Sequence, residues 1–366
     1  MKSAITAIGT ANPPYKQSQQ TAVEIVTQAL KLKPVDRRIL RSIYKSSGID
    51  HRYSVLSDFC RQPGEYEFFP NDTNLPFPST SERMRMYKEN ALDLAIKAIQ
   101  NCIDYKNNFK LQDITHLITV SCTGMYAPGL DIEIVQQLKL NFNTKRTCVN
   151  FMGCYGAFNA IKLADAICKS ERDAKVLIVS VELCTIHFQK NDAIDSMISN
   201  AVFADGAAAV LIESHSHQQK CFNLDTFHCD LLPQHSQEMT WQIADSGFDI
   251  VLSSYVPQVI QSGISNFIQR LKSEHDAALD KIDFYAIHPG GYKIIKACEE
   301  ALSISEQDNK YSYDVLRQFG NMSSATVLFV LKAIWNEVTD ADAGKKIMSC
   351  AFGPGLTLEA MMLSVG

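Results

Sequence analysis

The sequence predicts an α/β fold made of two halves, in which helices cover buried sheets. Continuously apolar, β-prone segments such as Lys175–Val181 alternate along the chain with segments whose apolar residues recur at helical spacing. Strands that are apolar on both faces are typical of mixed or parallel sheets covered by helices. The 366 residues are too many for one simple core, and a polar stretch near residue 215 divides the alternation in two.

The N-terminal half begins with a strand over residues 3–10, which ends in a Gly-Thr-Ala-Asn-Pro-Pro turn. Residues 54–82 are irregular and rich in proline, phenylalanine and polar residues. A loop of this length usually covers a site or wraps a neighbouring chain. The other predicted elements of this half are helices at 19–30, 85–102 and 131–139, and strands at 115–122, 147–151, 175–181 and 203–212.

The C-terminal half repeats the alternation after the polar segment 213–220. No low-complexity tract or flexible linker separates the halves, so we expect one compact body. The predicted elements are a strand at 284–287, helices at 256–271, 292–302 and 324–338, and two final strands within 346–365 joined by Gly353-Pro354-Gly355.

Composition excludes several classes of protein. The formal net charge of −5 does not favour binding to nucleic acid or to an anionic membrane. The chain has no CxxC pair, no metal-ligand spacing of histidines and no apolar run of the roughly 18 residues that a membrane span needs. Eleven cysteines without a secretion signal at the N-terminus favour a reducing compartment, and we expect a cytoplasmic protein without a metal site.

Cys154 lies at a sharp turn from a strand into a helix. The strand Thr147–Phe151 precedes it, two glycines flank it, and apolar residues at helical spacing follow from Ala157. Backbone N–H groups and the positive end of the dipole at a helix N-terminus favour an anion. The turn therefore favours a thiolate nucleophile, although a lone cysteine in an apolar segment is commonly a packing residue.

Two further polar residues stand at boundaries of predicted elements. His288 ends an apolar strand and is followed by Pro-Gly-Gly, a turn that exposes the side chain and lets a ligand approach the backbone. Asn321 opens a helix, where asparagine is also an ordinary N-cap. Since ligands of open α/β sheets gather at strand ends, a Cys–His pair with an amide donor is a serious hypothesis.

A basic segment precedes the irregular loop. Arg38, Arg41 and Lys45 are spaced three and four residues apart and therefore share one face of a helix. Such a face is usually solvated, and its functional interpretation is a site for phosphate groups.

Four motifs in order resemble the chalcone-synthase-like (type III) polyketide synthases of the thiolase superfamily, and the likeness runs from Ile8-Gly9-Thr10-Ala11 to the last strand. They are Gly153–Ala157, Ile287–Gly291, Gly320–Ala325 and Phe352–Glu359. The resemblance implies a thiolase-like fold of two βαβαβαββ halves in a layered αβαβα core. It places Cys154 in half 1–215, and His288 and Asn321 in half 216–366.

The resemblance also implies a mechanism. Cys154 would carry the starter acyl group and the growing chain as a thioester, and His288 would stabilise its thiolate as an ion pair. His288 and Asn321 would donate hydrogen bonds to the thioester carbonyl of malonyl-CoA during decarboxylation. The implied enzyme is an acyltransferase that uses acyl-CoA and malonyl-CoA and no cofactor. It would be a homodimer, and an acyl carrier protein is an alternative source of the starter.

The family's other site positions can be matched to this chain. Phe203 matches an aromatic gate between the CoA tunnel and the cavity, and Arg38, Arg41 and Lys45 match basic residues at the tunnel mouth. Ser323 matches a cavity-lining serine, and Gly353, Pro354 and Gly355 match the loop that shapes the cyclisation pocket.

The departures from the plant enzymes concern the cavity. Trp241 replaces a glycine and Ile250 a second gating phenylalanine. The other departures are Cys184 and His187 at two threonine positions, Cys122-Thr123 for a Thr-Ser pair, and Ala127 for a methionine. Because an indole replaces a hydrogen atom, flavonoid starters are disfavoured. The pattern is more similar to microbial enzymes that take fatty acyl starters and release alkyl pyrones or alkyl resorcinols.

Other interpretations remain open. A ketoacyl-carrier-protein synthase III-like enzyme would perform a single condensation, but the Phe-Gly-Pro-Gly and Asn-Met-Ser-Ser motifs disfavour it. A papain-like hydrolase also has His and Asn downstream of Cys, but this chain lacks the Cys-Gly-Ser-Cys-Trp context. A non-catalytic acyl-binding scaffold is expected to have lost one of Cys154, His288 and Asn321, and all three are present.

Overall fold

We analysed a computed structural model of the whole chain. It describes the chain except residues 1–2, 31, 63, 73, 105, 107–108, 192, 215–219 and 275–280. The predicted boundary between the halves, at residues 215 and 216, lies outside the described residues.

The N-terminal half holds seven strands among its described residues. They are β1 (Ser3–Ala11), β2 (Tyr15–Ser18), β3 (His51–Ser54), β4 (His116–Ser121), β5 (Lys145–Asn150), β6 (Lys175–Leu183) and β7 (Asp205–Ser214). Its helices are α1 (Gln19–Ala29), α2 (Pro34–Lys45), α3 (Thr80–Ile103), α4 (Leu130–Gln137), α5 (Gly156–Ser170) and α6 (Ile194–Val202). Helix α3 begins with a capping box in which the side chains of Ser79 and Glu82 satisfy each other's backbone N–H groups.

The C-terminal half consists of β8 (Phe222–Leu231), β9 (Met239–Ala244), β10 (Gly247–Leu252), β11 (Phe284–Ile287), β12 (Lys346–Gly353), β13 (Thr357–Val365), α7 (Val256–Glu274), α8 (Tyr292–Leu302), α9 (Lys310–Phe319) and α10 (Thr326–Glu337). Strands β9 and β10 form a hairpin of their own, which is separate from the main sheet.

Strand pairing shows that the two halves repeat one topology. In the first half β4 is parallel to β6, β6 is antiparallel to β7, and β7 is antiparallel to β1. In the second half β11 is parallel to β12, β12 is antiparallel to β13, and β13 is antiparallel to β8. Strands β1 and β8 join the two sheets through only two residue pairs, Ala4 with Asn223 and Ile5 with Phe222.

Three buried clusters define five layers. One cluster packs α3 against the outer face of the first sheet, and another packs α7 and α8 against the outer face of the second. Between them, the central cluster joins α5 and α10 to the inner faces of both sheets. Alternation along a strand explains this division, since Ile178 of β6 faces the central cluster and Val179 the outer one. The predicted αβαβα order is confirmed.

The elements predicted from apolar patterns are present, with some changes of boundary. Helix α3 begins at Thr80 rather than residue 85, because Ser79 provides its N-cap within the segment predicted as a loop. The sequence analysis missed β2, β3, α6, β8, α9 and the hairpin β9–β10. Several of these are short or partly exposed, which weakens their apolar pattern. Within the described ranges, every helix is too short or too polar to cross a lipid bilayer.

Candidate active site

Cys154 lies at a strained turn between β5 and α5, as the sequence predicts. The turn is a short 3-10 helix, Gly153–Tyr155, that leads directly into α5. Phe151 and Gly153 have positive φ angles of 61° and 76°. A β-carbon on Gly153 would lie 2.1 Å from Cδ of Pro354, so only glycine fits the turn. Pro354, which the resemblance assigns to the cyclisation loop, thereby packs directly against the turn that carries Cys154.

We expect Gly153→Ala to destabilise the fold by about 2–5 kcal/mol, because backbone strain and an overpacked contact add. Gly344→Ala is the matched control, since Gly344 also has a positive φ (84°) but has nothing within 4 Å of an added β-carbon. Denaturant unfolding of both variants separates strain from the clash with Pro354. Equal losses of stability in the two variants would contradict the importance of this contact.

The structure brings the three predicted catalytic residues to one cavity of about 30 Å³. Cys154 comes from the first half, and His288 and Asn321 from the second. The predicted residues that also line this cavity are Cys122, Phe203, Trp241, Ile250, Ser323 and Pro354. Backbone hydrogen bonds between the two halves fix the position of Phe203 relative to Asn321. The backbone N–H of Asn321 donates to Val202 O at 2.8 Å, and the backbone N–H of Ala204 donates to Asn321 O at 2.8 Å.

The amide of Asn321 is held in one orientation. Its Oδ1 accepts from the backbone N–H of Ser323 at 2.9 Å and from Thr326 Oγ1 at 3.3 Å. Its Nδ2 donates to Gly290 O at 3.1 Å, and the side chains of Asn321 and Ser323 also hydrogen-bond to the Cys154 sulfur. Asn321 is therefore a fixed donor beside Cys154, rather than only a helix cap.

His288 is buried, and both of its ring nitrogens lack a hydrogen-bond partner among the described residues. Its backbone is fixed, since its N–H donates to Cys350 O at 2.8 Å. Buried polar atoms are normally paired, so two unpaired ring nitrogens on the wall of a cavity indicate a position for a ligand.

Burial opposes an isolated charge on either Cys154 or His288. It raises the pKa of Cys154 to about 12, even though hydrogen bonds from Ser323 and Asn321 act in the opposite direction. It lowers the pKa of His288 to about 3. The turn alone therefore does not provide the thiolate that the sequence predicts. A thiolate and an imidazolium offset each other's desolvation only when they form together, so the pair is either neutral or doubly charged.

Glu182 is a buried acidic residue that acts electrostatically on Cys154 and that the sequence analysis missed. It accepts hydrogen bonds from Cys122 N at 3.0 Å, from Thr123 Oγ1 at 2.8 Å and from Ser324 Oγ. Desolvation raises its pKa from an ordinary value of 4.5 to about 7. The available sequence signal was one acidic residue inside the apolar strand β6.

We expect Glu182→Gln to remove a pH dependence of stability. Between pH 4.5 and 7 Glu182 holds a proton in the folded state and releases it in the unfolded state. The wild-type free energy of unfolding therefore falls as the pH rises, by up to about 1.4 kcal/mol per pH unit. The variant keeps an oxygen for Cys122 N–H but cannot titrate. Urea unfolding at several pH values measures the slope, with the exposed Glu89→Gln as control. An unchanged slope in Glu182→Gln would contradict this assignment.

Arg52 is a second functional candidate that the sequence analysis missed. It is 2% exposed, and its Nη1 donates to the carbonyl oxygens of Asn200 at 2.8 Å and Phe203 at 2.7 Å. Its side-chain stem packs against Gly320, the residue before Asn321. Arg52 therefore holds the backbone at Phe203 and packs beside the residue that precedes Asn321.

The remaining predicted cavity residues lie around the Cys154 cavity. Thr123 is fully buried and bonds to Glu182, whereas Cys184 and His187 line a separate cavity behind Trp241. The His187 ring is held by Thr123 O at 2.7 Å from Nε2 and by Phe248 N at 3.0 Å from Nδ1, and burial lowers its pKa to about 3. It is a neutral wall residue. Gly353 and Gly355 flank Pro354 without lining the cavity.

An entrance cavity of about 120 Å³ adjoins the Cys154 cavity and shares Leu252, Gly290 and Ile294 with it. The C-terminal end of α2 forms part of its wall through Ile43, Ser46 and Ser47. The predicted basic residues Arg38, Arg41 and Lys45 lie on the exposed face of α2 and do not line this cavity, and Arg41 pairs with Glu24 at 3.1 Å. Phe203 lies deeper than the entrance cavity. It lines the Cys154 cavity, whereas its neighbour Val202 lines the entrance cavity.

Comparison with known proteins covers almost the whole chain. Residues 1–216 match the family described as chalcone and stilbene synthases, N-terminal domain, and residues 223–365 match the corresponding C-terminal domain. The alpha-pyrone synthesis polyketide synthase-like Pks18 of Mycobacterium tuberculosis is 29% identical over 99% of this chain and 91% of that protein. Type III polyketide synthase C of Arabidopsis thaliana is 26% identical over 99% and 95%. The crystal structure of PKS-I from the brown alga Ectocarpus siliculosus is 30% identical, covers 99% of this chain and 98% of its own, and has a TM-score of 0.90.

Proposed function

Because the chain belongs to the chalcone and stilbene synthase family of type III polyketide synthases, which are acyltransferases with a thiolase-like fold, we propose that it builds a polyketide on Cys154. The observation that carries this proposal is the meeting of Cys154, His288 and Asn321 at one cavity. The proposed reaction adds two-carbon units from malonyl-CoA to an acyl starter held as a thioester.

The first step loads the starter. The Cys154 proton moves to His288, and the attraction between the thiolate and the imidazolium offsets the burial that opposes either charge alone. The thiolate attacks the carbonyl of acyl-CoA, a new C–S bond forms, and the bond to CoA breaks. CoA leaves as a thiol that takes the proton from His288, which restores a neutral imidazole.

The second step makes the new carbon–carbon bond. Malonyl-CoA loses CO₂, and the electron pair of the broken C–C bond forms an enolate whose oxygen carries the charge. His288 and the fixed Nδ2–H of Asn321 are the proposed donors to that oxygen. The enolate attacks the acyl carbonyl on Cys154, the bond to sulfur breaks, and the sulfur leaves as a thiolate, so the chain is two carbons longer on CoA. One proton from solvent restores the neutral Cys154 and His288, and the lengthened chain returns to Cys154 from CoA by a repeat of the loading step. No metal or redox cofactor enters these steps.

We propose a fatty acyl starter and a cyclised alkyl pyrone, alkyl resorcinol or acyl phloroglucinol product. The support is the wall formed by Trp241, whose ring lies 6.2 Å from that of Phe203. The indole ring lines the Cys154 cavity at a position where the resemblance to the plant enzymes places a glycine, which disfavours a bulky aromatic starter.

The basic face of α2 supports delivery of the starter as a CoA thioester. Arg38, Arg41 and Lys45 are exposed on the helix whose end lines the entrance cavity, where they can meet CoA phosphates as fixed cations. An acyl carrier protein is an alternative donor. Eleven free cysteines support a cytoplasmic location.

A homodimer is also part of the proposal. Strand β5 stands at one edge of the nine-stranded sheet, and five of its six residues are exposed. Phe142, just before this strand, is 87% exposed. An exposed sheet edge beside a large apolar side chain is a surface that proteins usually cover.

The test is to incubate the purified protein with malonyl-CoA and saturated acyl-CoA starters of two to sixteen carbons, and to analyse the products by mass spectrometry. Starter-dependent products with two or more acetate units are expected. Products with one unit would replace the proposal with the single-condensation alternative. Absence of both loading and malonyl-CoA decarboxylation would favour the non-catalytic acyl-binding scaffold.

A further inference from the structure

Three buried side-chain nitrogen atoms on the wall of the Cys154 cavity lack a hydrogen-bond partner among the described residues. Two are the ring nitrogens of His288, and the third is Nε1 of Trp241. The proposed steps use His288 but give the indole N–H of Trp241 no role. A buried N–H group without an acceptor is costly, so its place on a cavity wall indicates an acceptor atom in a ligand.

The indole ring of Trp241 is held in place by its neighbours. Trp241 pairs with Ile250 across the hairpin β9–β10. The rings of Phe203, His187 and Phe248 stand nearly perpendicular to the indole, at centroid distances of 6.2, 6.1 and 6.4 Å. A ring face is at most a weak acceptor, so these contacts orient the indole without replacing an oxygen atom as the partner of its N–H.

The side-chain acceptors near the indole already have donors. The Nδ1 atom of His187 accepts the backbone N–H of Phe248 at 3.0 Å. Across the cavity, Oδ1 of Asn321 accepts from the backbone N–H of Ser323 and from Thr326 Oγ1. We therefore expect the acceptor for Trp241 to come from the molecule that occupies the cavity.

An extended chain supplies an acceptor that a saturated starter lacks. A saturated acyl group on Cys154 carries only the thioester carbonyl, whereas each extension adds a keto group at carbon 3. A buried keto oxygen needs a donor, just as the buried indole N–H needs an acceptor. Since Trp241 lines the same cavity as Cys154, the keto group next to the thioester is the expected partner.

We propose that the indole N–H of Trp241 donates a hydrogen bond to the keto oxygen at carbon 3 of an extended chain on Cys154. Trp241 is then a specificity-determining residue that selects extended chains over saturated starters. This inference rests on the proposed function, because it requires an acyl group on Cys154. The lengthened chain returns from CoA to Cys154 in each cycle, so the selection favours further extension over the loading of a new starter.

A competition experiment tests the selection. Equal concentrations of octanoyl-CoA and 3-oxooctanoyl-CoA compete for Cys154 without malonyl-CoA, and intact-protein mass spectrometry gives the ratio of the two acyl-enzymes at early times. We expect Trp241→Phe to lower the share of the 3-oxo chain at least threefold, which is the effect of losing one neutral hydrogen bond. Comparison of the ratio between proteins cancels the different reactivities of the two thioesters.

Trp335→Phe is the matched control. Trp335 is the only other tryptophan of the chain, and it packs against Phe222 at a centroid distance of 5.0 Å, outside the three cavities described above. The ratio of acyl-enzymes in this variant should equal that of the wild type.

An isosteric replacement separates the N–H group from the size of the ring. Because the chain has two tryptophans, the Trp335→Phe variant produced with benzothienylalanine in place of tryptophan is changed at Trp241 alone. Sulfur then replaces the N–H group while the two fused rings remain. We expect the same loss of selection as in Trp241→Phe. A wild-type ratio in this protein would assign the selection to ring size and overturn the proposed hydrogen bond.

Nuclear magnetic resonance of the indole N–H groups gives a direct readout on the unaltered chain, with Trp335→Phe to assign the two signals. The Trp241 proton should resonate at higher chemical shift in the 3-oxooctanoyl enzyme than in the octanoyl enzyme. Equal shifts, or a ratio that changes less than threefold in Trp241→Phe, would overturn the hydrogen bond while loading itself upholds the proposed function. Loading of neither thioester is failure of the proposed function. If Trp241→Phe does not fold, the resonance comparison decides.

Discussion

Replacing Cys154 by alanine is expected to lower condensation by about 10⁴-fold or more, because the variant has no atom that can hold the starter. His288 and Asn321 remain in place, so malonyl-CoA decarboxylation should persist at a measurable rate. Cys184→Ala is the matched control, since Cys184 lines a separate cavity behind Trp241 and takes no part in the proposed steps. Product analysis and released CO₂ measure the two reactions separately.

Intact-protein mass spectrometry gives the same prediction a direct readout. The wild type and Cys184→Ala should gain one acyl group from an acyl-CoA starter, and Cys154→Ala none. An acyl group on the folded Cys154→Ala variant would show that another residue is the nucleophile. Retained condensation would have the same consequence.

Replacing His288 by glutamine is expected to impair both the formation of the thiolate and the stabilisation of the enolate. Burial raises the pKa of Cys154 to about 12, so without a partner cation its thiolate is scarce at neutral pH. We expect alkylation of Cys154 by iodoacetamide at pH 7 to slow by at least about 100-fold. Malonyl-CoA decarboxylation should fall by about 10²–10³-fold, the usual effect of losing one donor to an oxyanion.

The pH profile distinguishes this role of His288 from a loss of packing. Alkylation of the His288→Gln variant should recover as the pH is raised toward 10, whereas a disordered site would react rapidly at every pH. His235→Gln, on the short helix before β9, is the control and should behave as the wild type. A variant that is alkylated at pH 7 as fast as the wild type would rule out the ion pair.

The candidate catalytic residues could be located from the sequence because their local sequence carries strong structural constraints. Gly153 is required by a positive φ and by contact with Pro354, so the nucleophile turn has a recognisable sequence. His288 directly follows an apolar strand, and Asn321 precedes a short helical turn. The five-layer fold follows from strands that are apolar on both faces.

Other parts of the site depend on contacts between distant residues. Arg52 supports Phe203 and Gly320, which lie far away in sequence, and nothing in the segment His51–Ser54 indicates burial of its charge. Glu182 has a pKa of about 7 only because β4, β6 and the turn at Ser324 enclose it. The cavities behind Trp241 arise from packing of an irregular segment whose course has no periodic pattern.

The hairpin β9–β10 stands apart from the sheet that holds the proposed catalytic residues. Cys154, His288 and Asn321 are anchored to the nine-stranded sheet and its central helices, where one substitution disturbs many neighbours. Trp241 and Ile250, in contrast, face each other on a two-stranded hairpin outside that sheet. If Trp241 and Ile250 bound the starter as proposed, mutation of the hairpin changes the accepted starter while the sheet that holds Cys154, His288 and Asn321 keeps its structure.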